Sequence, residues 1–325
     1  MMARKILVVG GAGYIGGSVT DELMVRQIPF AVYDNLTYEN HYLKPVEFVY
    51  GDVRDREKLG RLLPHYSHVV WLAAIVGDGA CAIRPDLTRA VNEESVAWLA
   101  AHYDGRIVFT STCSVYGAND RPVTEQSPTN PLSVYAQTKL GAERHLLGKH
   151  SLIFRLGTAF GLSDTYARIR MDLAVNYMTM NGVIKKKLTV YGGDQWRPFI
   201  HVRDIARAIV DNLDAPHAGV FNLATQNETI LSVAKRISAE TGCEVAVTDQ
   251  KFQDNRNYHA DTTKGRRAGV MPDTTDHTIE YGIREVKQLV LSHRINDLEH
   301  EFYSNQKHLL KAIAKYEHGM DPTPS

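Results

Sequence analysis

Tyr135 and Lys139 stand four positions apart in Tyr135-Ala136-Gln137-Thr138-Lys139, so on a helix a phenol and an ammonium share one face within contact reach. Such a pair can move a proton. An isolated phenol, with a pKa of about 10, is a poor base at neutral pH, but neighbouring positive charge favours its phenolate. The same spacing also arises by chance in long chains as an ordinary surface pair, so the surroundings decide its meaning. Thr112 closes the run Val108-Phe109-Thr110-Ser111-Thr112, which sets its hydroxyl at the carboxyl end of a predicted strand. A helix predicted over 133–147 brings Tyr135 to the same edge. Together the three groups suit removal of a hydroxyl proton while hydride leaves the carbon that bears it.

Hydride needs an acceptor, and the start of the chain has the form of an acceptor site. The apolar run Ile6-Leu7-Val8-Val9 leads directly into Gly10-Gly11-Ala12-Gly13-Tyr14-Ile15-Gly16. A strand ending in such a turn lets the backbone approach a pyrophosphate, and the next helix offers it unpaired N–H groups and a positive dipole end. Asp34 closes a second run, Phe30-Ala31-Val32-Tyr33, at the distance where a carboxylate holds ribose hydroxyls and repels a 2′-phosphate. The expected cofactor is therefore NAD rather than NADP, and its oxidised nicotinamide adds a second cation beside the phenol. Two glycine spacings fit this turn. Gly11, Gly13 and Gly16 make G-x-G-x-x-G, whereas Gly10, Gly13 and Gly16 make G-x-x-G-x-x-G.

Positioning these groups falls to alternating elements. Short apolar runs at 6–9, 30–33, 47–50, 69–72, 107–110 and 151–154 alternate with helical patterns, which predicts an α/β fold, a doubly wound parallel sheet of Rossmann type with a smaller α/β substrate-binding lobe. The expected division is 1–160 for the NAD-binding domain, with 199–226 returning to it, 161–198 and 227–290 for the substrate-binding lobe, and 291–325 as a helical tail. Within the second part, 171–180 reads as a helix, 185–191 as a basic cluster running into a strand, and Gly192-Gly193-Asp194 as a turn. Val220-Phe221-Asn222-Leu223 reads as a further strand and 229–241 as an amphipathic helix. The stretch 283–317 is charge-rich and helix-favouring, and Pro322 and Pro324 suggest a frayed end.

Composition narrows the partners. With 37 basic and 37 acidic side chains among 325 residues the formal charge is zero, so neither nucleic acid nor an anionic membrane surface is an expected partner. Cys81, Cys113 and Cys243 form no C-x-x-C, and His65, His68, His102 and His145 have no ligand spacing; neither a disulfide framework nor a metal site is expected. Residues 1–5 lead straight into the first strand, and no apolar run reaches the roughly 20 residues of a membrane span. A reducing cytoplasm is the expected location.

On these residues the chain resembles the extended short-chain dehydrogenase/reductases, and within them the NAD-dependent nucleotide-sugar epimerase/dehydratase family, with a UDP-glucose 4-epimerase-like pattern from about Ile6 to Gly282. The resemblance selects Gly10, Gly13 and Gly16 and leaves Gly11 incidental. It implies cofactor contacts from Tyr14 and Ile15 in the turn, from Asp34 and Asn35, from Asp52 and Val53 at the adenine, from Leu72, Ala73 and Ala74 along the cleft, and from Asn92, the family's active-site asparagine. Thr112, Tyr135 and Lys139 match its catalytic Ser/Thr, Tyr and Lys, and Glu125 and Pro131 fall in the usual approach to the tyrosine. Arg197-Pro198-Phe199-Ile200-His201-Val202-Arg203-Asp204 is similar to R-D-[FY]-I-H-V-x-D, whose arginine clamps the sugar diphosphate. Tyr258-His259-Ala260-Asp261 resembles the segment after a nucleotide-contacting R-x-x-D. Lys251, Asp254 and Arg256 are then further anchors, with Lys251 and Arg256 both open for the phosphate. Asn176 reaches the diphosphate, caps a helix or is exposed.

Departures from the pattern are informative. Where 4,6-dehydratases carry an Asp-Glu pair after the catalytic threonine, this chain has Cys113 and Ser114, which offer no carboxylate for eliminating water. Cys113 reads as a buried filler. Arg155-Leu156-Gly157-Thr158 lacks the amide of the usual Arg-x-x-Asn; Arg203 and the cluster 168–170 either compensate or are solvated surface. His201 reads as structural, and Trp196 either stacks on a base or sugar or packs between lobes. The implied activity is oxidation of a nucleoside-diphosphate hexose at C4 to a transient ketone, which is then reduced from the opposite face. A 4-ketosugar reductase is the alternative, ahead of a catalytically silent NAD-binding protein. A homodimer through helices at 92–103 and 133–147 is also implied.

Overall fold

The computed structural model describes residues 5–248, 256–271, 274–295, 297 and 299–317. Its strands are β1 (Ile6–Val9), β2 (Phe30–Asp34), β3 (Glu47–Tyr50), β4 (His68–Trp71), β5 (Arg106–Thr112), β6 (Ser151–Leu156), β7 (Thr158–Phe160), β8 (Lys187–Tyr191), β9 (Trp196–His201), β10 (Gly219–Leu223), β11 (Gln226–Thr229) and β12 (Glu244–Thr248). Seven of them form one parallel sheet in the order β3-β2-β1-β4-β5-β6-β10. This is the doubly wound sheet that the sequence predicts.

Central parallel strands are covered on both faces, which is why they read as unbroken apolar runs. Along β1, Ile6 and Val8 enter the core on one face of the sheet and Leu7 and Val9 the core on the other. All four are fully buried, and each contributes roughly 1.5–3 kcal/mol of burial. From β1 the chain builds outward through β2 and β3, then crosses to β4 on the other side. That reversal opens a crevice beyond the carboxyl ends of β1 and β4.

A second core gathers Phe160, Val175, Leu188, Phe199, Val233 and Ile283. It is framed by the mixed sheet β11-β9-β7, the parallel pair β12-β8 and the helices Ala174–Lys185, Ile230–Thr241 and Ile279–Leu291. Ile230–Thr241 starts where Thr229 accepts a hydrogen bond from Ser232 N and stops at Gly242, whose φ of +70° admits glycine most easily.

One expectation needs correction. The helix predicted over 171–180 begins at Ala174 and runs to Lys185, and Met171 N is held by Tyr303 O at 3.0 Å. The helix-favouring stretch 283–317 takes in most of Ile279–Leu291, capped by Thr278, and Asn305–Glu317. The latter packs inward, with Leu309 and Ile313 in a cluster that includes Ile75, Cys81 and Tyr135.

Candidate active site

The glycine turn is built by contacts that leave little room for side chains. Gly10 sits at φ +84°, and a Cβ there would come within 2.4 Å of Ala73 N; one on Gly16 would lie 2.5 Å from Gly10 O. Both clashes are with backbone, which cannot step aside. Gly11 is not incidental, since its Cβ would press to 2.9 Å on the Val32 methyls. Gly13 differs from the others. Its added Cβ would meet nothing in the chain closer than Gly10 O, at 3.6 Å, an ordinary contact. It also caps the helix Tyr14–Val25 without any side-chain hydrogen bond, so the first N–H groups of that helix are left for an incoming acceptor.

Around this turn lies a cleft of about 410 Å³, within the range of small-molecule and cofactor sites. Gly10, Gly13, Tyr14, Ile15, Gly16, Asp34, Asn35, Asp52, Val53, Leu72, Ala73, Ala74, Tyr135 and Lys139 all line it. Asp34 accepts hydrogen bonds from Ala12 N at 3.1 Å and Leu36 N at 2.8 Å. Burial raises its carboxyl pKa against the pull of those N–H groups. Asn35 Nδ2 donates to Asp52 Oδ2 at 3.0 Å. Burial acts to raise the Asp52 carboxyl, but hydrogen bonds and charge from Arg54 prevail and lower it. A glycine cradle with open N–H groups, a ribose-facing carboxylate and apolar walls at 72–74 fit a dinucleotide; NAD bound there would be held by these residues.

At the inner end of the cleft, Ser133 accepts from Ala136 N and starts the helix Val134–Leu146, which carries Tyr135 and Lys139. Burial pushes the Tyr135 phenol up, while the charge of Arg170 and a hydrogen bond with Thr112 pull it down. Lys139, 2 % exposed, donates from Nζ to Thr110 O at 2.7 Å and lies 4.6 Å from the Phe109 ring centre. Burial lowers its pKa to about 8, against the charges of Cys81 and Glu143. Thr112 ends β5 and accepts from Ser114 N at 3.1 Å. Tyr135 and Lys139 therefore line the inner end of the cleft, while Thr112, at the end of β5, is outside that lining. Beneath them, the buried Glu143 carboxylate takes Arg155 Nη2 at 2.7 Å, so Arg155 is committed to an internal ion pair. Cys113 is buried, with Sγ on Arg155 O at 3.2 Å.

Two asparagines lie elsewhere than expected. Asn92 does not line the cleft; its amide brackets Ile75, accepting from its N at 2.8 Å and donating to its O at 2.9 Å. This fixes the chain just after β4. Asn176 is buried and spans the main chain of Gly161 at 2.9 and 3.0 Å and Arg170 O at 2.9 Å, so it tethers a loop rather than meeting solvent or a diphosphate. The Asn176 amide is taken up by main chain, and that of Asn92 by main chain and Thr138 Oγ1 at 3.3 Å.

The second anchor region is partly described. Arg197 is buried, with its guanidinium 5.5 Å from the Tyr258 ring centre and Nη1 donating to Trp196 O and Arg256 O. Tyr258 in turn shares a 3.1 Å hydrogen bond with Ser114 Oγ, linking Arg197 to the end of β5. Arg256, 30 % exposed at its side chain, pairs with Asp78 at 3.2 Å. Lys251 and Asp254 lie outside the described residues. Trp196 stacks on His259 at 5.3 Å. His201 is fully buried against Glu285, and Arg203 pairs with the same carboxylate and so does not replace the missing amide.

Sequence reasoning left one contributor to the cleft undecided and missed another. Arg168 and Arg170 line it, with Arg168 only 4 % exposed, so they are not solvated surface. Asn305, Leu309, Ala312 and Ile313 of the last helix form another wall. The apolar spacing of 309, 312 and 313 is the signal that could have revealed it. No helix among the described residues is long and apolar enough to cross a membrane.

Comparison with known proteins agrees with this geometry. The UDP-glucose 4-epimerase of Corynebacterium glutamicum is 26 % identical over 303 residues, spanning 84 % of this chain and 92 % of its own length. The dTDP-glucose 4,6-dehydratase of Streptomyces niveus is 29 % identical over 292 residues, 81 % of this chain and 86 % of its own. Among solved structures, UDP-glucose 4-epimerase from Brucella ovis in complex with NAD superposes with a TM-score of 0.77 at 26 % identity, covering 88 % of this chain and 98 % of that one. A family model matches residues 6–224, which hold the glycine turn, Thr112, Tyr135, Lys139 and every wall of the cleft except that of the last helix. The chain belongs to the NAD dependent epimerase/dehydratase family.

Proposed function

We propose that this protein is an NAD-dependent epimerase of nucleoside-diphosphate hexoses, working at C4 through a transient 4-keto sugar. The observation that carries the reading is the placing of Tyr135 and Lys139 on one helix at the inner end of the dinucleotide cleft, with Thr112 ending the strand β5 beside it. NAD supplies the hydride acceptor and donor when bound. Tyr135 takes the proton of the sugar hydroxyl and returns it to the same oxygen; Thr112 orients that hydroxyl. Burial favours the neutral phenol, the charge of Arg170 opposes it, and an oxidised nicotinamide would add a second positive charge. Cys113 and Ser114 supply no carboxylate, which supports epimerisation over 4,6-dehydration.

Inversion requires the ketone to turn over while its diphosphate stays held. Arg256 takes the diphosphate, because its side chain is half-buried and its main chain is fixed by Arg197. The epimerases among the relatives support a uridine nucleotide. The protein works as a cytoplasmic homodimer, paired through the helices at 92–103 and 133–147.

The test is to identify the copurifying dinucleotide by mass spectrometry and then follow UDP-glucose and UDP-galactose by NMR with no cofactor added. Interconversion without external NADH is expected. Turnover of a 4-ketosugar alone, with stoichiometric NADH, would select the reductase instead. Tyr135→Phe should lower turnover by about 100-fold or more with NAD content unchanged; undiminished turnover rejects the assignment.

A further inference from the structure

Arg170 reaches the cleft from the loop between β7 and the helix Ala174–Lys185. Its guanidinium lies 5.6 Å from the ring centre of Tyr14, the first residue of the helix behind the glycine turn. Nε donates to Asp172 Oδ1 at 2.9 Å, and the side chain is only 11 % exposed. Among the described residues, its two terminal NH₂ groups have no hydrogen-bond partner. Arg168 stands behind it. Its Nη1 donates to Phe302 O and its Nη2 to Asn305 Oδ1, while its Nε is buried and unpartnered.

The loop is built to hold this position. Asn176 Nδ2 donates to Arg170 O, and the second Asp172 oxygen is occupied by Asn305 N at 2.7 Å. Charge from Arg170 lowers the pKa of both Tyr14 and Tyr135 against the effect of burial. Arg170 therefore stands within electrostatic reach of both the glycine turn and the catalytic phenol. The guanidinium is partly exposed where it lines the cleft, so its terminal donors are open to a ligand that brings acceptors.

We propose that Arg170, backed by Arg168, binds the pyrophosphate of the dinucleotide as it lies on the glycine turn. The proposal rests on reading the cleft as the NAD site. The helix end supplies N–H groups, and the guanidinium fork supplies a full charge with paired donors matched to phosphate oxygens. A sugar nucleotide carries the same diphosphate chemistry. Arg170 lines the cleft with Gly13, Tyr14 and Ile15, whereas Arg197 and Arg256 are outside that lining, so the cofactor is the occupant.

The test uses the full chain stripped of nucleotide, with calorimetric titration of ADP-ribose, adenosine and UDP. Arg170→Met should weaken ADP-ribose by about 10- to 100-fold and leave adenosine and UDP unchanged, with Arg170→Lys recovering part of the loss. Unchanged ADP-ribose affinity would overturn the proposal, as would a loss confined to UDP. Equal weakening of all three ligands would show a damaged fold and overturn it too. Should the unmodified protein fail to bind ADP-ribose, the cofactor reading falls first; should it bind and the Met variant match it, only the role of Arg170 falls.

Discussion

Lys139 turns its ammonium onto the carbonyl of Thr110, 2.7 Å away, so it braces the helix that carries Tyr135 against the end of β5. Its burial has a measurable cost. In the native chain its pKa lies near 8 against 10.5 for the free side chain. Below pH 8 both folded and unfolded states carry the proton and the full penalty applies. Between about 8 and 10.5 the unfolded state holds more protons, so this group's contribution to stability rises with pH. Urea unfolding of the cofactor-free protein at pH 7 and 9.5 should move in favour of the native chain over Lys139→Met by on the order of 1–2 kcal/mol. A pH-independent difference between the two proteins rejects this account.

Gly13 and Gly16 separate binding from folding. Gly13→Ala places its methyl in space that no chain atom contests, so apoprotein stability should stay within about 0.5 kcal/mol while NAD affinity drops at least ~10-fold. Gly16→Ala drives a methyl into the Gly10 carbonyl and should cost roughly 1–3 kcal/mol in the apoprotein. Thermal unfolding and NAD titration of both variants check the contrast. Wild-type NAD affinity in Gly13→Ala would be incompatible with a pyrophosphate lying there.

The last helix covers the cleft, and its removal should be felt as cofactor escape. Deleting 304–325 takes away Leu309 and Ile313, which pack toward Ile75 and Tyr135, and removes the Asn305 acceptor of Arg168 Nη2. The dissociation rate of NAD should rise about 10-fold or more, the equivalent of roughly 1.4 kcal/mol, while the far-UV spectrum remains that of the parallel sheet and its helices. Equal NAD retention after dilution of the two proteins would dismiss the helix as a cover.

Much of this site was legible because it is local. Tyr135 and Lys139 are tied by helical spacing, Thr112 by the end of a strand, and the glycine turn by its own steric needs. The misread residues share another property: their roles are set by partners distant in sequence. Nothing near Asn92 announces the main chain of Ile75, and nothing near Arg168 announces Asn305, 137 positions away. Asn176 was legible as a polar residue in a helix but not as the tether of Gly161 and Arg170. Gly11 fails for a related reason, since the methyls that crowd it belong to the neighbouring strand. Local pattern identifies groups able to do chemistry; long-range contacts decide which amides and guanidinia remain free for it.

Asn305 also donates to Val76 O, 229 positions earlier in the chain. Vectorial synthesis completes the seven-stranded sheet, whose last strand ends at Leu223, before this contact can form. Every nascent molecule thus passes through an interval in which the nucleotide crevice exists without its roof. Asn305, Leu309, Ala312 and Ile313 are therefore the last of the lining to be made, and the crevice gains its final wall only after they leave the ribosome.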